Sequence, residues 1–177
     1  MGYHTYFSGH IALDRPMDDA LANYIRKFNQ TRKMQLNVEK AEKLDDPLRI
    51  AVGLPIGIDG EYCLAVDDRL PDFGEKNELI VNYNVHPSTQ PGLWCQWTIA
   101  DNNKWIVWDE GDKFYEYVPW LVYFIKNFIV PFGYVANGTI EWDGEDSDDF
   151  GIVGVENNEV FVRYGISTYG EKEFVDG

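Results

Sequence analysis

Apolar and polar residues alternate with a period of two from His4 to Leu13. Tyr6, Ser8, His10 and Ala12 share one face, and Thr5, Phe7, Gly9 and Ile11 share the other, which predicts a strand. The period then lengthens. Met17, Ala20, Leu21, Tyr24, Ile25 and Phe28 form one stripe at helical spacing. Pro16 suits a first helical position, Asp18 and Asp19 complement the positive end of the dipole, and Arg26, Lys27, Arg32 and Lys33 complement the negative end.

Residues 34–47 are polar and mixed in charge and predict a loop. Ala51–Ile58 and Glu61–Val66 flank Asp59-Gly60, a dipeptide that tolerates positive φ, and so predict a hairpin. Residues 67–77 predict a second loop, and Leu79–Val85 a strand ended by the turn residues of 86–92. Leu93–Ala100 and Lys104–Asp109 pair across Asp101-Asn102-Asn103 as an aromatic hairpin carrying Trp94, Trp97, Trp105 and Trp108.

Tyr117–Val130 has the widest apolar face of the chain and predicts a second, more buried helix with Pro119 in its first turn. Tyr134–Trp142, Gly151–Glu156 and Glu159–Tyr164 predict three closing strands, the last two joined by Asn157-Asn158. The residues from 166 onward predict a loose tail. Helices separated by antiparallel hairpins imply an α+β fold. We expect a single domain over residues 1–177, with a mostly antiparallel sheet of about six to eight strands and two main helices on one face.

Composition supports a packed core: 45% of the 177 residues are hydrophobic and 15% aromatic. Charge is the larger departure. The formal net charge is −15, and it is unevenly placed. Residues 1–49 carry eight basic against seven acidic side chains, residues 50–126 five against twelve, and residues 127–177 two against eleven. Self-repulsion from phosphate argues against direct nucleic-acid binding. No basic-then-apolar leader is visible. The apolar stretch 118–132 is too short for a bilayer and is interrupted by Pro119, Lys126, Asn127 and Pro131, so no membrane contact is expected. Cys63 and Cys95 stand in apolar contexts and read as two buried thiols of a cytoplasmic protein.

The charge peaks between Glu141 and Asp149, where Glu141, Asp143, Glu145, Asp146, Asp148 and Asp149 place six carboxylates in nine residues. A calcium loop is disfavoured, because Asp148 occupies the turn-glycine position and no Glu closes the loop. Two readings remain: a solvated loop between strands, and an anionic ribbon that binds a basic protein surface. The position between strands predicts an exposed connection rather than a pocket wall.

Trp108-Asp-Glu-Gly-Asp112 offers Asp109 and Glu110 near aromatic walls. This gives an alternative pocket between Trp97, Trp108 and the second helix, although no His, Ser or Cys partners it. His4 and His10 are about 20 Å apart along one strand, too far to share a metal. There is no phosphate-cradling glycine loop and no nucleophile elbow, so no catalytic residue, metal or cofactor is assigned.

The segments Gln90-Pro-Gly-Leu-Trp-Cys-Gln-Trp97, Trp108–Tyr117, Pro131-Phe-Gly-Tyr134 and Asn137–Glu145 resemble a family of small uncharacterised proteins of bacteriophages and their bacterial hosts. The likeness covers roughly the C-terminal half. It implies a phage-linked setting, where small acidic proteins block host defence enzymes, and it implies no activity. The leading expectation is therefore a non-enzymatic acidic protein of phage origin in the host cytoplasm. It would engage a basic host protein, such as a nucleic-acid-handling defence enzyme, through its carboxylate-rich face. The alternatives are a small-ligand or enzymatic domain using the Trp pocket, and a phage structural or assembly protein that forms homo-oligomers.

Overall fold

Long runs of alternating β-branched and aromatic residues become a six-stranded antiparallel sheet. In a computed structural model of the chain, which describes residues 2–66, 78–168 and 170, its strands are β1 (Thr5–Leu13), β4 (Trp97–Ile99), β5 (Trp105–Trp108), β6 (Ala136–Gly144), β7 (Phe150–Glu156) and β8 (Glu159–Tyr164). Their spatial order is β4-β5-β1-β6-β7-β8, so the N-terminal strand lies at the centre, against β6 along its whole length. The two backbones approach closely at Gly9 and Gly138. A Cβ at either, both at positive φ, would stand 2.7 Å from a carbonyl oxygen of the partner strand.

The turn chemistry holds in the C-terminal half. Asn157 and Asn158 both take positive φ (48° and 70°) between β7 and β8, as a two-residue hairpin turn demands. Asn103 does the same between β4 and β5, at 56°.

The helical stripe becomes α1 (Asp19–Asn29), which buries Leu21, Ala22, Tyr24, Ile25 and Phe28. Arg26 in its last turn reaches the edge strand β4, donating to the carbonyls of Ile99 (3.2 Å) and Ala100 (2.8 Å). The second helix starts as α4 (Tyr117–Phe124), with Pro119 in the first turn, where its missing N–H costs nothing. It continues as a π-helical turn over Ile125–Ile129, where the Val130 N–H donates to the Ile125 carbonyl (3.0 Å). Both helices cover one sheet face. Ile11, Ile106, Ile140 and Val153 meet Leu21, Ile25, Phe28, Leu121, Phe124 and Phe128 in the main core. The fold is α+β.

The region 34–85 differs from expectation. The predicted loop 34–47 contains β2 (Gln35–Leu36) and α2 (Val38–Ala41), and Pro47 opens α3 (Pro47–Ala51), capped by the Asp46 carboxylate. The predicted hairpin over residues 51–66 is absent. Asp59 and Gly60 do take positive φ (54° and 76°), but within a short 3-10 turn, Ile58–Gly60. Gly60 packs against the Leu36 side chain, so the dipeptide folds the chain onto a neighbour instead of pairing its own flanks. Only Ile80–Asn82, β3, remains of the predicted strand 79–85, and it pairs with β2 in a separate two-stranded sheet. A smaller apolar cluster of Met34, Leu36, Ala41, Ile56, Cys63 and Val66 lies under this region. The expected loop 67–77 lies outside the described residues, as does most of the expected tail; Ile166–Thr168 have no regular structure.

Candidate functional site

The sheet face opposite the helices is uncovered by any described element. Parity places Tyr6, Ser8 and His10 of β1, Thr139, Glu141 and Asp143 of β6, and Arg163 of β8 on it, and all are exposed. Register sets them in rows across the strands. Tyr6 lies opposite Asp143, which lies opposite Phe150; Ser8 lies opposite Glu141, then Ile152, then Arg163. Farther along the face, His10 stacks on Trp105 at 4.2 Å, and the Phe161 ring lies over Gly154, where a side chain would otherwise stand.

Two aromatic rings lean away from the first row. Tyr6 turns its ring toward Trp108 (6.4 Å between centroids), and Phe150 lays its ring over Gly165. Between them opens a trough of about 720 Å³, with Ser8, Glu141, Asp143 and Ile152 on its floor. This corrects one expectation from sequence. Glu141, inside the predicted strand, and Asp143, just past its predicted end, both belong to β6 and line a concavity, and only Glu145–Asp149 form the connection.

The connection is tied down by residues far away in sequence. Asp149 accepts from the Tyr3 hydroxyl (2.6 Å) and from Trp142 Nε1 (3.0 Å). The Tyr3 hydroxyl also accepts from the Asp146 N–H (3.1 Å). Glu145 accepts from the His4 N–H (3.1 Å), while His4 Nδ1 meets the Asp112 carboxylate and Nε2 stands 3.9 Å from Glu145. The hydrogen bond from Tyr3 to Asp149 raises the Tyr3 pKa, since it stabilises the protonated phenol. Of the six carboxylates, two hold the loop. Glu141, Asp143, Asp146 and Asp148 are exposed and have no ion-pair or hydrogen-bond partner among the described residues. The segment is a braced anionic ledge.

The residues of the alternative pocket are dispersed among structural roles. Trp97 is fully buried (0% exposed), ringed by Phe7 and Phe114, and its Nε1 donates to the Tyr117 carbonyl (2.8 Å). Trp108 is half-buried and donates to Gln96 Oε1 (2.9 Å). Asp109 accepts from Asn29 Nδ2 (2.7 Å) and from the Gly111 N–H (2.8 Å), which forms the corner of the turn. Glu110 is exposed at positive φ. Trp97 therefore pins the hairpin to the start of α4 and offers no surface to a ligand. The outward tryptophans are Trp94 and Trp105.

A buried polar cluster escaped the sequence reading. Glu61 Oε2 accepts from Thr89 Oγ1 (2.5 Å) and from the Tyr123 hydroxyl (3.0 Å), and Gln90 Nε2 donates to that hydroxyl (3.1 Å). Burial raises the Tyr123 phenol far above its usual range, so it stays a donor. The cluster joins the 86–92 loop to α4; no local motif announces it, because its members lie 28 to 62 residues from Glu61.

Among the described residues no group of three or more His, Cys, Asp or Glu is placed to hold a metal ion, and no helix is long and apolar enough to cross a membrane. Both cysteines are free and buried. The chain matches no family model, no curated protein and no solved structure.

Proposed function

We propose that the protein is a non-enzymatic binding protein whose acidic ledge and open sheet face dock a basic protein partner. The observation that carries this reading is the division of labour within residues 141–149. Asp149 and Glu145 are used internally to hold the loop, while the carboxylates of Glu141, Asp143, Asp146 and Asp148 are exposed and have no partner among the described residues. Like charges held together without partners disfavour the fold, so their clustering is better accounted for by a ligand than by stability. Long-range attraction from a net charge of −15 speeds encounter with a cationic surface and repels nucleic acid.

The resemblance to phage and bacterial proteins supports a finer version. In it the protein is phage-encoded, acts in the host cytoplasm, and blocks a host enzyme that handles nucleic acid by occupying its phosphate-binding surface. Capture from host lysate at about 50 mM and about 500 mM salt tests the reading, because an electrostatic partner is released as the Debye length shrinks. The expected result is a basic protein retained at low salt by the wild type and lost with the Glu141→Gln, Asp143→Asn, Asp146→Asn, Asp148→Asn variant. Equal retention by that variant would sink the proposal.

A further inference from the structure

The trough narrows the chemistry of the partner. Its two floor carboxylates, Glu141 and Asp143, have no ion-pair partner among the described residues, although a cation, Arg163, lines the same trough. Arg163 shares a row with Glu141, two strands away, and instead lies over the Phe161 ring at 5.5 Å. Asp143 sits on the row between Tyr6, 65% exposed, and Phe150, whose outward-leaning rings form the two walls. A carboxylate on the floor of an aromatic-walled trough complements a planar cation. A guanidinium donates two parallel hydrogen bonds to one carboxylate and turns its weakly hydrated faces to the rings, whereas an ammonium is a compact, strongly hydrated charge that gains less from such walls.

Resting on the binding reading above, we propose that the trough receives an arginine side chain of the basic protein partner, seated on Asp143 between Tyr6 and Phe150. The spacing extends the fit. Glu141 lies two residues along the strand, about 6.8 Å from Asp143, and an extended partner segment repeats its own side chains at that same interval. A basic segment with alternate residues pointing into the trough therefore meets a carboxylate at each step.

Fluorescence anisotropy with labelled nona-arginine and nona-lysine peptides tests this on the full chain. At about 50 mM salt the wild type should bind the arginine peptide about tenfold more tightly, the difference attributable to ring contacts and bidentate geometry. Tyr6→Ser and Asp143→Asn should each remove most of that preference. Asp148→Asn, an equal loss of charge outside the trough, should weaken both peptides alike and by less than about threefold. Equal affinity for the two peptides, or a loss of preference in Asp148→Asn as large as in Asp143→Asn, overturns the arginine assignment while leaving the binding reading standing. Failure of both peptides to bind the wild type defeats the binding reading itself. Sedimentation of the unliganded protein covers the remaining occupant: a dimer that Tyr6→Ser dissociates would show that a second copy fills the trough, and would also overturn the assignment.

Discussion

Lys33 is the least expected side chain in the molecule, because its ammonium is fully enclosed. Nζ donates to the carbonyl of Phe28 in the last turn of α1 and to that of Thr31 just past it, and stands 3.5 Å from the centre of the Phe28 ring. Burial pulls its pKa from 10.5 down to about 7. In the unfolded chain the lysine keeps its proton to about 10.4, so between pH 7 and that value the unfolded state binds more protons and stability rises with pH, at most about 1.4 kcal/mol per unit. The neighbouring Cys95 thiol acts oppositely. Burial raises it from 9.0 to about 12, so above pH 9 the unfolded state loses a proton that the fold retains, and stability falls. The lysine contribution is therefore clearest between about pH 7 and 8, below the range in which Cys95 and Cys63, both raised by burial, ionise in the unfolded chain. Urea midpoints should rise across that interval in the wild type and stay flat in Lys33→Met; an unchanged rise in the variant would show that another group is responsible. The burial of Cys95 is legible from its apolar context, whereas that of Lys33 is not. Lys33 reads in the sequence as one of four cations at a helix end, and it is segments remote in the chain that enclose it, among them Leu93, whose carbonyl accepts from the Lys33 N–H (2.8 Å), and the residues around Gly60 and Gln90.

Elements whose signals are local were legible, and elements whose partners are remote were not. The stripe from Met17 to Phe28, the apolar run from Val118 and the Asn157-Asn158 turn all became what their patterns predict, because each is decided by neighbours within a few residues. Asp59-Gly60 shows the limit. The dipeptide supplied the positive φ, but whether its flanks pair with each other or with something else depends on Leu36 and on the Asp46 carboxylate, which accepts from the Leu64 N–H (2.8 Å). The π-helical turn is equally remote in origin. Asn127 donates to the Tyr123 carbonyl (2.8 Å) and accepts from the Tyr62 hydroxyl (2.8 Å), filling the bond that the wider turn leaves open. Asn127→Ala strips both partners and should cost about 1–3 kcal/mol by urea denaturation. The β7–β8 hairpin gives a sharper contrast. Asn157→Gly keeps the backbone geometry and should change stability by less than about 0.5 kcal/mol. Asn158→Gly deletes the side chain that accepts from the buried Ala136 N–H (2.7 Å) and donates to the Tyr134 carbonyl (3.0 Å), and should cost about 1–3 kcal/mol. Equal effects of the two substitutions would mean that backbone preference, and not side-chain bonding, sets the turn.

At the scale of the whole molecule, the charge gradient legible in the sequence becomes a geometric asymmetry. The helices and their apolar faces occupy one side of the sheet, and the carboxylates of β6 and its loop occupy the end of the other. Which of the six carboxylates are free was hidden, since Tyr3 and His4, which hold the loop, stand more than 140 residues away from it in the chain. The aromatic walls were hidden as well, because only the β1–β6 and β6–β7 registers bring Tyr6 and Phe150 to the two sides of Asp143. A surface kept for a partner and a surface kept for folding respond oppositely to neutralisation. Removing unpartnered like charges relieves repulsion, whereas removing a bonded carboxylate exposes the donors it satisfied. The four-site amide variant at Glu141, Asp143, Asp146 and Asp148 should accordingly melt at a temperature equal to or above that of the wild type at low salt, with the difference shrinking as salt screens the repulsion. Asp149→Ala leaves Trp142 Nε1 and the Tyr3 hydroxyl without their acceptor, and should lower stability by about 1–3 kcal/mol at any salt concentration. Differential scanning calorimetry of the two variants decides between these assignments. If the four-site variant is the less stable one, the exposed carboxylates serve the fold, and the basis for a docking surface disappears with that result.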